Sequence, residues 1–193
     1  MHNTALIPGS LEAIAVQEGQ SLAESFLTAD AIILVDTSGS MNARDVVRTT
    51  WEQNVTQSRY EAACEELKKL QAKLPGRIAV IAFSDKPEFA PGGIPRFIGG
   101  GTDLARALTF VHVADGCDMS FVVISDGEPN DEAAALNEAA KFVSRIDTVF
   151  VGPAGDPGEQ FLEKLAKASG GQHSRNEVHQ IAERVESLLL AAG

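Results

Sequence analysis

Three short segments of the chain concentrate oxygen-bearing side chains: Asp36-Thr37-Ser38-Gly39-Ser40, Gly99-Gly100-Gly101-Thr102-Asp103-Leu104 and Ile124-Ser125-Asp126-Gly127-Glu128-Pro129-Asn130-Asp131. Hydroxyls and carboxylates, with no thiol or imidazole among them, suit a hard cation such as Mg2+, which takes oxygen ligands in near-octahedral array at about 2.1 Å. Ser38 and Ser40 place two hydroxyls on one side of a tight loop, with Gly39 between them free to take the backbone angle the turn requires. Asp36 is placed to reach a metal or to accept a hydrogen bond from a metal-bound water. Thr102, after three glycines that let the backbone come close, offers a third hydroxyl from across the site. Asp126 closes the site and Gly127 keeps the approach open. Taken alone, each segment is also ordinary turn chemistry, so the meaning depends on what brings the three together.

The elements that must position them follow from the apolar pattern. Ala31–Val35, Ile78–Phe83, Met119–Ser125 and Thr148–Gly152 are short, β-branched and continuous, as strands buried on both faces of a parallel sheet are. Between them apolar residues recur at helical spacing. The stripes are Tyr60, Ala63, Cys64, Leu67, Leu70 and Leu74; Leu104, Ala107, Leu108 and Val111; Ala133, Leu136, Ala140 and Val143; Phe161, Leu165 and Ala168; and Val178, Ile181, Val185 and Leu188. Pro75-Gly76 and Gly170-Gly171 close two of these helices. The alternation specifies an α/β fold, a doubly wound, mainly parallel six-stranded sheet with helices on both faces. A short antiparallel edge strand is expected around Arg96–Ile98, within the Gly/Pro-rich stretch 85–101. Ligands of such sheets sit beyond the carboxyl ends of the strands where strand order reverses. Asp36 and Asp126 each follow a strand, and pairing of those strands makes them neighbours. Residues 1–29 form an N-terminal helical extension and 30–193 the main domain. An insertion at about 41–58, where Val47, Trp51 and Val55 stand four apart, is expected to add a helical turn or two.

Asp36, Ser38, Ser40, Thr102 and Asp126, in this order and in this frame, resemble the metal-ion-dependent adhesion site of the von Willebrand factor type A domain, whose pattern is Asp-x-Ser-x-Ser, a distant Thr and a later Asp. The likeness runs from about Asp30 to the C-terminus, and Ser125 to Asp131 is similar to the intracellular members. It implies a Rossmann-like fold and a bound Mg2+, with Mn2+ or Ca2+ as substitutes. It also implies that the hydroxyls bind directly while one or both aspartates act through water. Three neutral hydroxyls leave the ion short of negative charge, and a hard anionic carboxylate is the natural guest. The implied function is a divalent-metal-dependent protein–protein interaction module that captures an Asp or Glu of a partner protein. The intracellular members add the expectation of an ATPase-driven complex with AAA+ components. Thr102 and Asp126 are implied to trade direct for water-mediated contact, and movement of the helix from Val178 to Leu190 is left open.

The bulk properties set limits. A net charge of −11 without a Lys/Arg cluster argues against nucleic acid or anionic membrane as a partner. No apolar run approaches the roughly 20 residues of a membrane helix, and no signal peptide is evident, so the cytoplasm is the expected compartment. Cys64 and Cys117 belong to no metal-binding cluster. The same site admits two rival functions. A metal-dependent hydrolase or phosphotransferase is disfavoured because Ser38 stands where an aspartyl-phosphate phosphatase would carry its second Asp. No GxxxxGK[ST] loop is present either, and His2, His112, His173 and His179 are scattered. A structural subunit whose metal staples loops is the other rival. Trp51 reads as a rim contact or, more simply, as a cover for the core edge. Asp103, Glu128 and Asp131 read as helix-start carboxylates, with the orienting of a metal-bound water by one of them as the alternative, and Asp85 is assigned no ligand role.

Overall fold

The computed structural model describes residues 6–49, 54–117, 119–127, 129–153, 155–175, 182–183 and 186–187. Its centre is β1 (Ala31–Asp36), buried along its whole length, flanked in parallel by β4 (Ile78–Phe83) and β6 (Ser120–Ser125). Beyond β4 lies the antiparallel edge strand β5 (Pro87–Phe89). Beyond β6 come β7 (Ile146–Phe150) and β8 (His173–Arg175), both parallel. The order β5-β4-β1-β6-β7-β8 reverses direction between β1 and β6. The switch point, where two loops part to opposite faces and leave a crevice, therefore lies where Asp36 and Asp126 emerge.

Alternation along the strands feeds two cores. Ile32, Leu34, Ile81, Phe83, Phe121 and Val123 face α4 (Leu104–Val111), α5 (Glu132–Ala139) and α6 (Pro157–Ser169). Ile33, Val35, Val80, Val122 and Ile124 face Leu67 and Leu70 of α3 (Arg59–Lys73). Continuous apolar strands are what a sheet covered on both faces requires. At the N-terminal end, α1 (Leu11–Glu18) buries Leu11 and Ala15, and α2 (Leu22–Leu27) packs Leu22 and Phe26 against the first core.

Three expectations are corrected. The edge strand is Pro87–Phe89, and Arg96–Ile98 is loop. A proline at the strand's first residue costs no ladder hydrogen bond on an edge, so the earlier Pro-bearing segment was the better strand. Among the described residues of 41–58 there is no helix beyond the 3-10 turn Gly39–Asn42; β2 (Val46–Thr49) and β3 (Asn54–Gln57) pair there as the antiparallel strands of a hairpin. Its β-branched valines and threonines favour an extended chain, and Val47 and Val55 are exposed on it. Trp51 lies outside the described residues. On α5 the buried face is Ala135 and Ala139, while Val143 lies past the helix and is 88 % exposed. Similarly, Leu162 and Ala166 are buried on α6 where Ala168 is exposed. The stripe Val178, Ile181, Val185 and Leu188 lies outside the described residues; within that span positions 182, 183, 186 and 187 are described, as helix. Cys64 is a buried free thiol and Cys117 an exposed one.

The start of α3 is fixed by its own side chains. Ser58 caps it by accepting from the Glu61 amide, and the Glu61 carboxylate accepts from the Ser58 amide at 2.8 Å. This reciprocal box satisfies two amides that the first helical turn leaves without partners. Ser58→Ala is expected to cost about 1 kcal/mol, read as a lower urea midpoint with an unchanged m-value.

Candidate functional site

The polypeptide leaves β1 at Asp36, whose side chain is fully buried and points back across the chain ends. One oxygen accepts from the Ser38 amide at 2.7 Å; the other accepts from the hydroxyl of Ser125, the last residue of β6, at 2.6 Å. Asp36 thus ties the neighbouring strand ends together and sets the turn that presents the serines. Ser38 and Ser40 have their hydroxyl oxygens 3.1 Å apart, and the Ser40 hydroxyl donates to Asp126 Oδ1 at 2.8 Å. Because the Ser40 proton is committed to Asp126, the Ser38 hydroxyl is the donor in the first of these contacts.

The chemistry of this donor set fits a small hard cation. An octahedron with bonds of about 2.1 Å has edges of about 3.0 Å. Two successive separations, 3.1 and 2.8 Å, match such an edge, and all three atoms are oxygen. Asp36 lies behind them with both oxygens already hydrogen-bonded, which suits a role in orienting Ser38 and any water in the second layer. The glycine loop that leads to Thr102 is tied to the serine turn by its backbone. Gly39 donates to the Gly100 carbonyl and Gly99 to the Thr37 carbonyl, at 3.1 and 2.8 Å. The Thr102 hydroxyl takes no part in the chain that joins Ser38, Ser40 and Asp126.

The glycine loop does need its glycines, though the reason differs from the one expected for Gly39. Gly39 has no positive φ; Gly99 and Gly100 do, at 76° and 85°. A Cβ on Gly100 would lie 2.4 Å from an Asp85 oxygen, and one on Gly101 would lie 2.8 Å from both Asp85 and Asn130. Asp85 accepts from the Gly101 amide at 3.0 Å. Asn130 accepts from the Thr102 amide at 3.0 Å and returns its own amide to the Thr102 carbonyl at 2.9 Å. Asp103 and Asp131 cap α4 and α5, which accounts for both as helix-start carboxylates. Glu128 lies outside the described residues.

Sequence reasoning missed Arg59. It occupies the first turn of α3, and its guanidinium donates to Asp126 Oδ2 at 2.7 Å, on a carboxylate 67 residues away. Nε donates to both oxygens of Asp45, at 3.0 and 3.1 Å. One signal was present: a cation in the first turn opposes the helix dipole, so an arginine there calls for carboxylates close by. Ser125 and Asn130 were missed as well, because each acts through a partner distant in sequence.

Electrostatically the site is short of positive charge. Burial pushes Asp36 up to about 6, against the lowering effect of its bonds from Ser125 and Ser38, with the charge of Asp126 adding to the rise. Burial also raises Asp126, opposed chiefly by Arg59. Among the described residues no group of three His, Cys, Asp or Glu side chains forms a metal cluster, so a cation here would depend on hydroxyls together with the aspartates. Cys64 and His173 lie elsewhere; the His173 ring pairs with Thr148 at 2.8 Å, between β7 and β8.

No protein-family profile matches the chain, and no curated protein does. Solved structures share its fold. A von Willebrand factor type A protein from Catenulispora acidiphila gives a TM-score of 0.59 at 17% identity, over 85% of this chain and 43% of its own. Proximal thread matrix protein 1 from the mussel byssus gives 0.53 at 19%, over 86% and 47%. The PilB minor pilin from Streptococcus sanguinis gives 0.50 at 14%, over 86% and 64%. The chain thus spans less than two thirds of each of these structures, and at these identities the likeness is one of fold. The architecture is that of a type A-like α/β domain. No described helix is long and apolar enough to cross a membrane.

The raised Asp36 makes a signed prediction. Its folded value lies above the unfolded one, so its favourable contribution is complete below about pH 4 and is lost as pH rises through about 6. In chelator, Asp36→Asn keeps an acceptor for Ser38 and gains a donor for Ser125. It should therefore stabilise the protein by roughly 1–3 kcal/mol at pH 7.5. The gain should vanish towards pH 4, read as ΔTm across a pH series.

Proposed function

We propose that this chain is a divalent-cation-dependent protein-interaction module, in which Ser38, Ser40, Thr102 and Asp126 would hold Mg2+ and Asp36 would orient Ser38 and a water behind them. Mn2+ is the closest substitute. The observation that carries the reading is the run Ser38–Ser40–Asp126, whose oxygens stand 3.1 and 2.8 Å apart like successive corners of a Mg2+ octahedron. When bound, the ion supplies a hard Lewis-acid position for an anionic oxygen, and the guest is an Asp or Glu carboxylate of a partner protein.

The chain's own part is positioning and access. Asp36, Ser38 and Asp126 are buried to 2 % exposure or less, so their oxygens are held in place before a guest arrives. Gly39 and Ser40 are exposed, giving the crevice one open side. The low charge of the donor set favours an anionic guest over water. Capture of a partner through this site is compatible with an ATPase-driven assembly, which is the setting we propose to search first. Catalysis is not part of the proposal. His112 packs on Phe142 and His173 bonds Thr148, so neither is set against the crevice as a general base.

The fold's likeness to a type A protein supports an interaction role, and the site itself supplies the chemistry. Mg2+ titrated by calorimetry into the purified chain should bind with one-site stoichiometry. Ser38→Ala and Asp126→Ala should each weaken it by about tenfold or more. A partner captured in Mg2+ should elute in EDTA and be lost from both variants. Replacement of one acidic residue of that partner should abolish capture. Undiminished capture in EDTA and in both variants would contradict the reading, and Mg2+-dependent stabilisation without any capture would favour a structural metal.

A further inference from the structure

Arg59 divides the two oxygens of Asp126. Oδ1 faces Ser40 at 2.8 Å, on the side of the hydroxyls, and Oδ2 is held by the guanidinium at 2.7 Å. The Asp126 side chain is 0 % exposed and that of Arg59 10 %, so neither has solvent to swing into. Arg59 is also fixed from behind. Its Nε is shared between both oxygens of Asp45, its backbone amide donates to the Ala43 carbonyl at 3.1 Å, and it follows the capping residue Ser58. Burying an arginine in the first turn of a helix, against the dipole, calls for such anchorage.

We infer that Arg59 sets the cation selectivity of the site: by holding Oδ2 it restricts Asp126 to a single-oxygen contact, which suits Mg2+ and handicaps Ca2+. Mg2+ demands a near-ideal octahedron and takes carboxylates through one oxygen. Ca2+ sits at 2.3–2.6 Å among six to eight oxygens and gains from bidentate carboxylates. With Oδ2 engaged, the larger ion loses the ligand most able to raise its coordination number. Ca2+, expected from the sequence to substitute for Mg2+, thus becomes the discriminated ion. The hairpin β2–β3 joins the same device, since Asp45, just before β2, anchors the far side of the guanidinium.

The inference rests on the proposed cation site, and the ratio of two affinities separates it from that site. Mg2+ and Ca2+ carry the same charge, so the loss of Arg59's repulsion cancels in the ratio and the geometric effect remains. Dissociation constants for both ions are measured by calorimetry on the full chain, as wild type, Arg59→Met, Arg59→Lys and Asp45→Asn. The Ca2+/Mg2+ ratio of constants should fall about tenfold in Arg59→Met, which has no donor for Oδ2, and about threefold in Asp45→Asn. It should stay within about twofold of wild type in Arg59→Lys, which retains a donor for Oδ2. If Arg59→Met does not fold by circular dichroism, Asp45→Asn decides. An unchanged ratio in the deciding variant, with Mg2+ still bound by wild type, overturns the role of Arg59 and leaves the site standing. Failure of the wild type to bind either ion removes both.

Discussion

Two carboxylates buried side by side at the ends of adjacent strands are the constraint to which the rest of this site answers. Asp36 and Asp126 lie 0 % and 2 % exposed, and desolvation is the largest influence on both. A buried anion is tolerated only when hydrogen-bonded or paired. The chain meets that demand asymmetrically. Asp36 receives an amide and a hydroxyl, both neutral, and Asp126 receives a hydroxyl and one guanidinium. Among the described residues one internal cation serves these two buried anions, which leaves the crevice electronegative, and its hydroxyl oxygens stand at separations compatible with a small ion. Burial, spacing and charge deficit all point the same way, and that agreement is what supports the proposed cation site.

The surrounding loops gain a physical meaning in that light. Asp85 and Asn130 brace the glycine loop from two sides, so Thr102 is held through its backbone. From below, the first turn of α6 packs on the loop after β6: a Cβ on Gly158 would stand 3.0 Å from the backbone of Gly127. The hairpin is tied in through Asp45 and Arg59, and through Arg44, whose guanidinium donates to the Thr56 carbonyl and to Glu61. Breaking a buried pair such as Arg59–Asp126 by removing one partner typically costs about 3–5 kcal/mol, so this tie has structural weight.

What was legible in the sequence was what depends on local pattern. The continuous β-branched runs announced a two-sided sheet, and the strand ends carrying Asp36 and Asp126 were expected as neighbours and are. Helix faces were legible where large side chains marked them, as on α3 and α4. On α5 they were not, because alanines lie on every side and carry little directional signal. The segment differs from the helical turns expected of it because Val47, Trp51 and Val55, four apart, satisfy a helical period, while Val47 and Val55 stand on two paired strands. The contacts of Arg59, Asn130 and Ser125 were hidden for a different reason: their partners are 28 to 89 residues away, and only the closed sheet brings them within reach. Of the five expected site residues, Asp36, Ser38, Ser40 and Asp126 are joined in one chain of direct hydrogen bonds, while Thr102 is positioned by its loop.

The central claim, that these oxygens form a seat for one divalent ion, is tested most directly by anomalous diffraction from crystals grown in Mn2+. One strong peak is expected at about 2.1–2.3 Å from the hydroxyl oxygens of Ser38 and Ser40, with a single oxygen of Asp126 on its side of the crevice and Asp36 one layer behind. No peak at full Mn2+ concentration, or a peak elsewhere with the Ser38–Ser40–Asp126 hydrogen bonds intact, would contradict it.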